Sequence, residues 1–218
     1  MAIKAVIFDL DGVIFDSEIL HQIAWEQIFA QYGIKLEQKD YASGIGISDK
    51  DFLKKLKTEG KIPDNINIES LIEEKREKLL ELSKNGAKLM PGASEFIHAM
   101  RKYYVLAVAS NSDIRFIRNL LEKSKLMPCF ALVLGYQDIE KPKPAPDIYL
   151  KCAEKLKLLP VECVVIEDSP AGIKAAKNAG MTCIAISSLL PESMLEEADF
   201  IVKTFDIERI RTSLNSIQ

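Results

Sequence analysis

The sequence predicts an α/β fold with a mostly parallel sheet and a helical domain inserted after the first strand. Short apolar, β-branched runs recur along the chain, and segments of helical period with recognisable caps lie between most of them. One stretch, from about residue 17 to residue 84, instead carries helical patterns with no convincing strand. Strand–helix alternation over 218 residues implies helices packed on a parallel sheet.

The elements follow in order. Residues 3–8, Ile-Lys-Ala-Val-Ile-Phe, stop abruptly at Asp9, which suggests a buried parallel strand ending in an acidic loop. Leu20, Ile23, Ala24 and Ile28 mark an amphipathic helix that opens the insertion, and helical segments follow near residues 49–57 and 68–82. The chain is expected to return near Met90-Pro91-Gly92, so residues 1–15 and 86–218 would form the core and residues 16–85 the helical domain. Further strands are expected at residues 104–109, 131–134, 163–166, 182–186 and 200–202. Between them, Ile114, Ile117 and Leu121 share a helical face behind Ser112 as N-cap. Ser169, Pro170 and Gly180 frame another helix with a cap, a first-turn proline and a terminal glycine. No internal repeat or low-complexity linker interrupts the pattern.

Composition narrows the function classes. The chain is 48% hydrophobic and 28% charged, ordinary for a globular protein, and its 218 residues suffice for one sizeable core or for one core plus a small accessory unit. Its apolar stretches are strand-length, well short of the ~20 residues of a spanning helix, so no membrane segment is expected. Asp9 and Asp11 break the N-terminal apolar run, which therefore does not read as a signal peptide. Cys129, Cys152, Cys163 and Cys183 are scattered without zinc-ligand spacing; they read as reduced, mostly buried thiols and argue for a cytoplasmic protein. With 29 basic and 32 acidic residues well mixed, net charge −3, the chain lacks the footprint of a nucleic-acid binder. The Lys/Glu-rich segment at residues 68–84 reads as a solvated helix face.

Four strand ends carry chemistry. Asp9-Leu10-Asp11-Gly12 closes the first strand, at the sheet edge where open α/β folds bind ligands. Two carboxylates so close repel unless a cation or proton separates them, and magnesium suits one or two carboxylates with waters and a phosphate. Ser110-Asn111-Ser112 follows the second core strand and offers a hydroxyl, an amide and helix-start N–H groups, a cradle for phosphate or simply a helix cap. Lys143 stands in a proline-rich segment, Lys141-Pro142-Lys143-Pro144-Ala145-Pro146-Asp147, that could aim its ammonium or merely expose it. Glu167-Asp168-Ser169-Pro170 ends a further strand with adjacent acids suited to a divalent metal or to capping the next helix.

Taken together, Asp9-x-Asp11-Gly12, Ser110, Lys143 and Glu167-Asp168 resemble the four motifs of the haloacid dehalogenase superfamily, over essentially the whole chain. The resemblance implies a Rossmann-like core with a helical cap domain, similar to the β-phosphoglucomutase-like and phosphoglycolate phosphatase-like branch. It implies that Asp9 is a nucleophile forming an aspartyl phosphate and that Asp11 is the general acid/base. Magnesium would be held by Asp9, the Asp11 backbone carbonyl and Asp168, with Glu167 direct or water-bridged, while Ser110, Asn111 and Lys143 hold the phosphoryl oxygens. A small phosphorylated metabolite is the expected partner, and a monomer is the default for the branch.

Within the superfamily, Asp11 favours phosphoryl transfer over dehalogenation, which needs no acid/base there. Asp16-Ser17-Glu18, His21 and Trp25 are similar to the sugar-phosphomutase branch, where the matching histidine couples cap closure to catalysis; packing of the first cap helix is the alternative role. The cap loop around Gly44, Gly46, Ser48 and Lys50 resembles the mutase substrate loop, and its glycines would let backbone approach the core site. It departs at Asp49, where the mutases carry a phosphate-gripping arginine; a carboxylate there would repel a second phosphate. Lys75, Arg76 or Lys78 could supply a replacement cation, although each also reads as a surface charge. The expected activity is therefore hydrolysis of a monophosphorylated metabolite, with a sugar phosphomutase or a non-catalytic binding protein as the alternatives.

Overall fold

A computed structural model describes residues 2–44 and 47–216, with backbone only for 213–216. The chain opens with β1 (Ala5–Phe8) and leaves through a two-residue strand, β2 (Phe15–Asp16). Four helices follow: α1 (Glu18–Gln31), α2 (Gln38–Ala42), α3 (Asp49–Thr58) and α4 (Ile68–Ser83). β3 (Lys88–Leu89) brings the chain back, and strands and helices then alternate. These are α5 (Ala93–Met100), β4 (Val105–Ala109), α6 (Ile114–Lys123), β5 (Leu132–Leu134), α7 (Asp147–Leu156), β6 (Cys163–Glu167), α8 (Pro170–Asn178), β7 (Thr182–Ile186), β8 (Phe200–Val202) and α9 (Ile207–Ser216).

Six strands form a parallel sheet in the order β5-β4-β1-β6-β7-β8. β1 is buried on both faces, which is why it is apolar throughout. Val6 and Phe8 enter one apolar cluster with Phe96 and Phe116; Ala5 and Ile7 enter the other with Tyr149 and Cys152. Register places Phe8 between Val108 of β4 and Ile166 of β6, so the residues after these three strands emerge side by side. Strand order reverses around β1, the switch point at which open α/β sheets bind ligands.

The helices between β2 and β3 have an apolar cluster of their own, including Trp25, Phe29, Phe52, Leu53, Leu56 and Leu71. Trp25 lies parallel to Phe29, ring centroids 5.0 Å apart. The segments leading out and back are an antiparallel pair, Phe15 opposite Leu89 and Asp16 opposite Lys88, so the return begins two residues before Met90.

Several local expectations change. Leu20 and Ile23 of α1 are only half buried, and the residues facing the helical cluster are Trp25, Ile28 and Phe29. Asp113, not Ser112, caps α6, its carboxylate accepting from the Arg115 N–H at 2.7 Å. The Lys/Glu-rich helix α4 is not wholly solvated, since Lys75 is 2% exposed. Ser169 caps α8 as expected, accepting from the Gly172 N–H. All four cysteines are free and buried. Among the described residues, no helix is long and apolar enough to cross a membrane.

Candidate active site

Asp9 follows β1, Ser110 follows β4, and Glu167 and Asp168 stand at the end of β6, so the register of three adjacent strands brings them to one rim. Lys143 arrives from the β5–α7 connection and is 5% exposed. Its ammonium donates to Asp9 Oδ1 at 2.5 Å, to Glu167 Oε1 at 2.7 Å and to the Ala109 carbonyl at 3.0 Å, closing a contact across 134 residues of sequence. These residues, other than Glu167, line a cavity of about 730 Å³ between the sheet rim and the helical unit. That volume lies in the range of small-molecule sites.

Burial dominates the electrostatics. It pushes the Asp9 carboxyl up to about 8, with the charges of Glu167 and Asp11 adding to the rise and Lys143 opposing it. Burial, reinforced by Glu167 and Asp9, also drives Asp168 well above the usual carboxylate range. The Asp168 carboxylate accepts no hydrogen bond among the described residues and opens on the cavity beside Asp9. A Cβ added at Gly12, whose φ is +72°, would lie 1.9 Å from Asp168 Oδ2, so only glycine fits where the first loop passes that carboxylate.

This donor set fits magnesium. Two under-neutralised carboxylates, Asp9 and Asp168, favour a small divalent cation that retains waters. Among the described residues, no group of three His, Cys, Asp or Glu side chains is preassembled for a metal, as a structural zinc site would require. Glu167 is a correction to the expected ligand set. Its Oε1 accepts from Lys143 and from the Tyr149 hydroxyl at 2.8 Å, and its Oε2 from the N–H of Asp168, the N–H of Ser169 and the Ser169 hydroxyl. Five donors on two buried oxygens leave no lone pair aimed at a metal. Glu167 anchors Lys143 instead.

Asp11 belongs to a second network. Burial would raise its pKa, but His21 together with the Ser17 and Ser112 hydroxyls holds it below the ordinary carboxylate range. Ser17 Oγ donates to Asp11 Oδ1 at 2.5 Å, Ser112 Oγ to Oδ2 at 2.7 Å, and His21 Nε2 lies 3.3 Å from Oδ1. His21 Nδ1 lies 2.8 Å from the Lys75 ammonium, which can only donate, so Nδ1 is the acceptor and Nε2 carries the hydrogen toward Asp11. Ser17, Ser112 and Lys75 were not expected in these roles. Ser17 offered only its place in the Asp-Ser-Glu run, and a lysine inside a charged helix carries no signal of burial.

The other expected residues fall in place unevenly. Ser110 is buried, its Oγ accepting from the Ser112 N–H at 3.1 Å. Asn111 lines the cavity, and its Oδ1 accepts from the Lys143 N–H at 3.1 Å, which orients the lysine segment and frees its amide NH₂ for another partner. Ser48 caps α3. Lys50 is at the rim, mostly exposed, 3.5 Å from Glu69. Gly46 lies outside the described residues. Gly44 serves the packing of Phe52, whose ring would be 2.8 Å from an added Cβ. Asp49 is not a bare charge: Lys75 donates to both its oxygens, at 3.0 and 2.9 Å. The expected repulsion of a second phosphate by Asp49 therefore loses its basis. Trp25 serves packing, while His21 bridges the two units.

The haloacid dehalogenase-like hydrolase family model matches residues 6–186, so the chain belongs to that family and is an enzyme of the hydrolase class. A phosphorylated carbohydrates phosphatase of Thermotoga maritima is 32% identical, covering 82% of each chain. A β-phosphoglucomutase of Bacillus subtilis is 31% identical over 92% of this chain and 89% of its own. The crystal structure of a CbbY variant from Rhodobacter sphaeroides with xylulose-(1,5)bisphosphate superposes with a TM-score of 0.82 at 26% identity, covering 93% of this chain and 95% of that one.

Proposed function

We propose that this hydrolase is a magnesium-dependent phosphatase of a small phosphorylated metabolite, a sugar phosphate or similar ester, acting through an aspartyl phosphate on Asp9. The observation that carries the reading is Lys143 held 2.5 Å from Asp9 Oδ1, with Asp168 unpaired beside them at the same sheet rim. Asp9, Asp168 and the Asp11 backbone carbonyl would hold the metal, whose chemistry is to neutralise phosphoryl charge and lower the barrier to nucleophilic approach.

Asp9 attacks phosphorus, and Lys143 with Ser110 and the Asn111 amide NH₂ gathers the phosphoryl oxygens. Asp11 protonates the leaving oxygen. It is ionised in the network described, and a phosphate dianion placed beside it raises its pKa toward the acid form that this step needs. Having lost its proton, Asp11 then takes one from the water that hydrolyses the aspartyl phosphate. The helical unit from about residue 16 to residue 85 acts as the cap that roofs the cavity and selects the ester.

Asp9→Asn should abolish release of p-nitrophenol from p-nitrophenyl phosphate while the thermal transition persists; retained turnover overturns the nucleophile. EDTA should remove activity and magnesium restore it. The likeness to a β-phosphoglucomutase supports a second reading, a sugar phosphomutase. Interconversion of glucose phosphates dependent on a bisphosphate activator, without net phosphate release, would favour it.

A further inference from the structure

We propose that Arg76 receives a second anionic group, a carboxylate or a second phosphate, at the far end of the substrate; the proposal rests on reading the Asp9–Lys143 pocket as the site of the transferred phosphoryl group. Among the described residues, four Lys or Arg side chains line the cavity: Lys50, Lys75, Lys143 and Arg76. Lys143 is committed to Asp9 and Glu167. Lys75 is buried and spent on both Asp49 oxygens and His21, with the Trp25 ring 5.5 Å from its ammonium. Lys50 is mostly exposed, directed to Glu69 on the outer side.

Arg76 differs. Its guanidinium carbon sits 3.8 Å from the Tyr136 ring centroid, spanning from α4 to the core segment after β5. A guanidinium held over a ring can still offer in-plane N–H groups for a forked contact with a carboxylate or phosphate. Nη1 reaches Glu73 at 3.3 Å, an i,i+3 pair with a largely exposed glutamate that is weak in water. Nε and Nη2 make no hydrogen bond to the described residues. The Asp49–Lys75 pair is satisfied within the cap wall, and among the cavity-lining cations of the cap Arg76 is the one held over an aromatic ring of the core. Opposite it, the catalytic rim takes the transferred group. A ligand anionic at both ends satisfies both walls.

The test uses matched substrates on the intact chain: 3-phosphoglycerate against glycerol 3-phosphate, and fructose 1,6-bisphosphate against fructose 6-phosphate. The first pair isolates a carboxylate and the second a phosphate, so the preferred pair names the distal group. In at least one pair the wild type should favour the anion-bearing member, with a kcat/KM on the order of 10- to 100-fold higher, the range of a charged hydrogen-bonded contact. Arg76→Ala should collapse that ratio through KM, and Arg76→Lys should restore part of it. Calorimetric binding of the same pairs to the Asp9→Asn protein reads the ratio without turnover. A chain that hydrolyses no ester would thus defeat the phosphatase reading while still testing Arg76. Equal affinity for both members of both pairs overturns the proposal, as does an Arg76→Ala loss of the same size on each.

Discussion

Replacing Glu167 by glutamine keeps the shape of the side chain and removes one charge, so it isolates the electrostatic support of Lys143. The wild-type carboxylate is 1% exposed and takes five hydrogen bonds, two on Oε1 and three on Oε2. Glutamine offers one acceptor oxygen. Whichever way its amide turns, the NH₂ faces either an ammonium and a phenol or two backbone N–H groups and a hydroxyl, so at least two buried donors lose their partner. Breaking a buried pair costs about 3–5 kcal/mol, and because Lys143 keeps Asp9 the lower end, about 3 kcal/mol, is expected. For a domain of this size, each kcal/mol shifts Tm by about 2–4 °C, giving a fall of about 6–12 °C in differential scanning calorimetry. Turnover of p-nitrophenyl phosphate should fall with it, since the ammonium loses the carboxylate that aims it. A Tm within about 2 °C of wild type would refute the assignment of Glu167 as the anchor and return it to the expected place among the metal ligands.

Three further substitutions probe other parts of the argument. Gly12→Ala would thrust a methyl into Asp168 Oδ2 and force a positive φ on alanine, so magnesium affinity, read as the concentration restoring half-maximal activity after EDTA, should weaken at least tenfold. Asp113→Asn should destabilise the fold near neutrality: burial would raise the Asp113 pKa, but Arg115 holds it below the ordinary 3.8. A depressed carboxylate stabilises above its unfolded pKa and loses that contribution as pH falls through the folded one. The Tm gap between wild type and variant should accordingly close at pH values below about 3.8, and a gap independent of pH would contradict the Arg115 pairing. Asp49→Asn leaves the buried Lys75 ammonium without its anion; Tm should fall, by about 1–3 kcal/mol in stability, and KM for bisphosphates should drop as the cap wall gains positive charge. A raised KM would argue that Asp49 itself holds the substrate.

The main architecture was legible because its signals are local and repeated. An apolar run that stops at a polar residue marks both a buried strand and the rim on which that residue emerges, so the sequence alone places Asp9, Ser110 and Asp168 at one rim. Lys143 needed the motif spacing, since nothing local distinguishes an aimed lysine from a solvated one. The burial of Lys75 was not legible: it depends on the rotation of α4 against α1, which the Lys/Glu pattern does not specify. Tyr149 and Tyr136 carried no signal for the same reason, each acquiring its role only when a distant carboxylate or guanidinium is packed beside it. The misplaced cap of α6 has a simpler cause. Ser112 and Asp113 are both good capping residues one position apart, and Asp11, 101 residues earlier, claims the Ser112 hydroxyl.

The arrangement of charge explains why substrate and cation should bind together. Asp9 and Glu167 share one ammonium, and the Asp168 and Asp11 carboxylates stand close enough to Asp9 to add their charge, so the rim is short of positive charge before any phosphate arrives. A phosphate dianion alone would deepen that deficit, and a cation alone would find Asp9 committed to Lys143. A divalent ion bound together with a phosphate would meet both needs: Asp168 and Asp9 would hold the ion, which would neutralise phosphoryl charge, and Lys143 would turn part of its charge toward the phosphoryl oxygens. Their affinities are then coupled, each raising the other's by the same factor, as linkage demands. Independent binding of magnesium and phosphate to the Asp9→Ala protein, alongside strong coupling in the wild type, is the signature this charge balance implies. Equal coupling in both would place the source elsewhere.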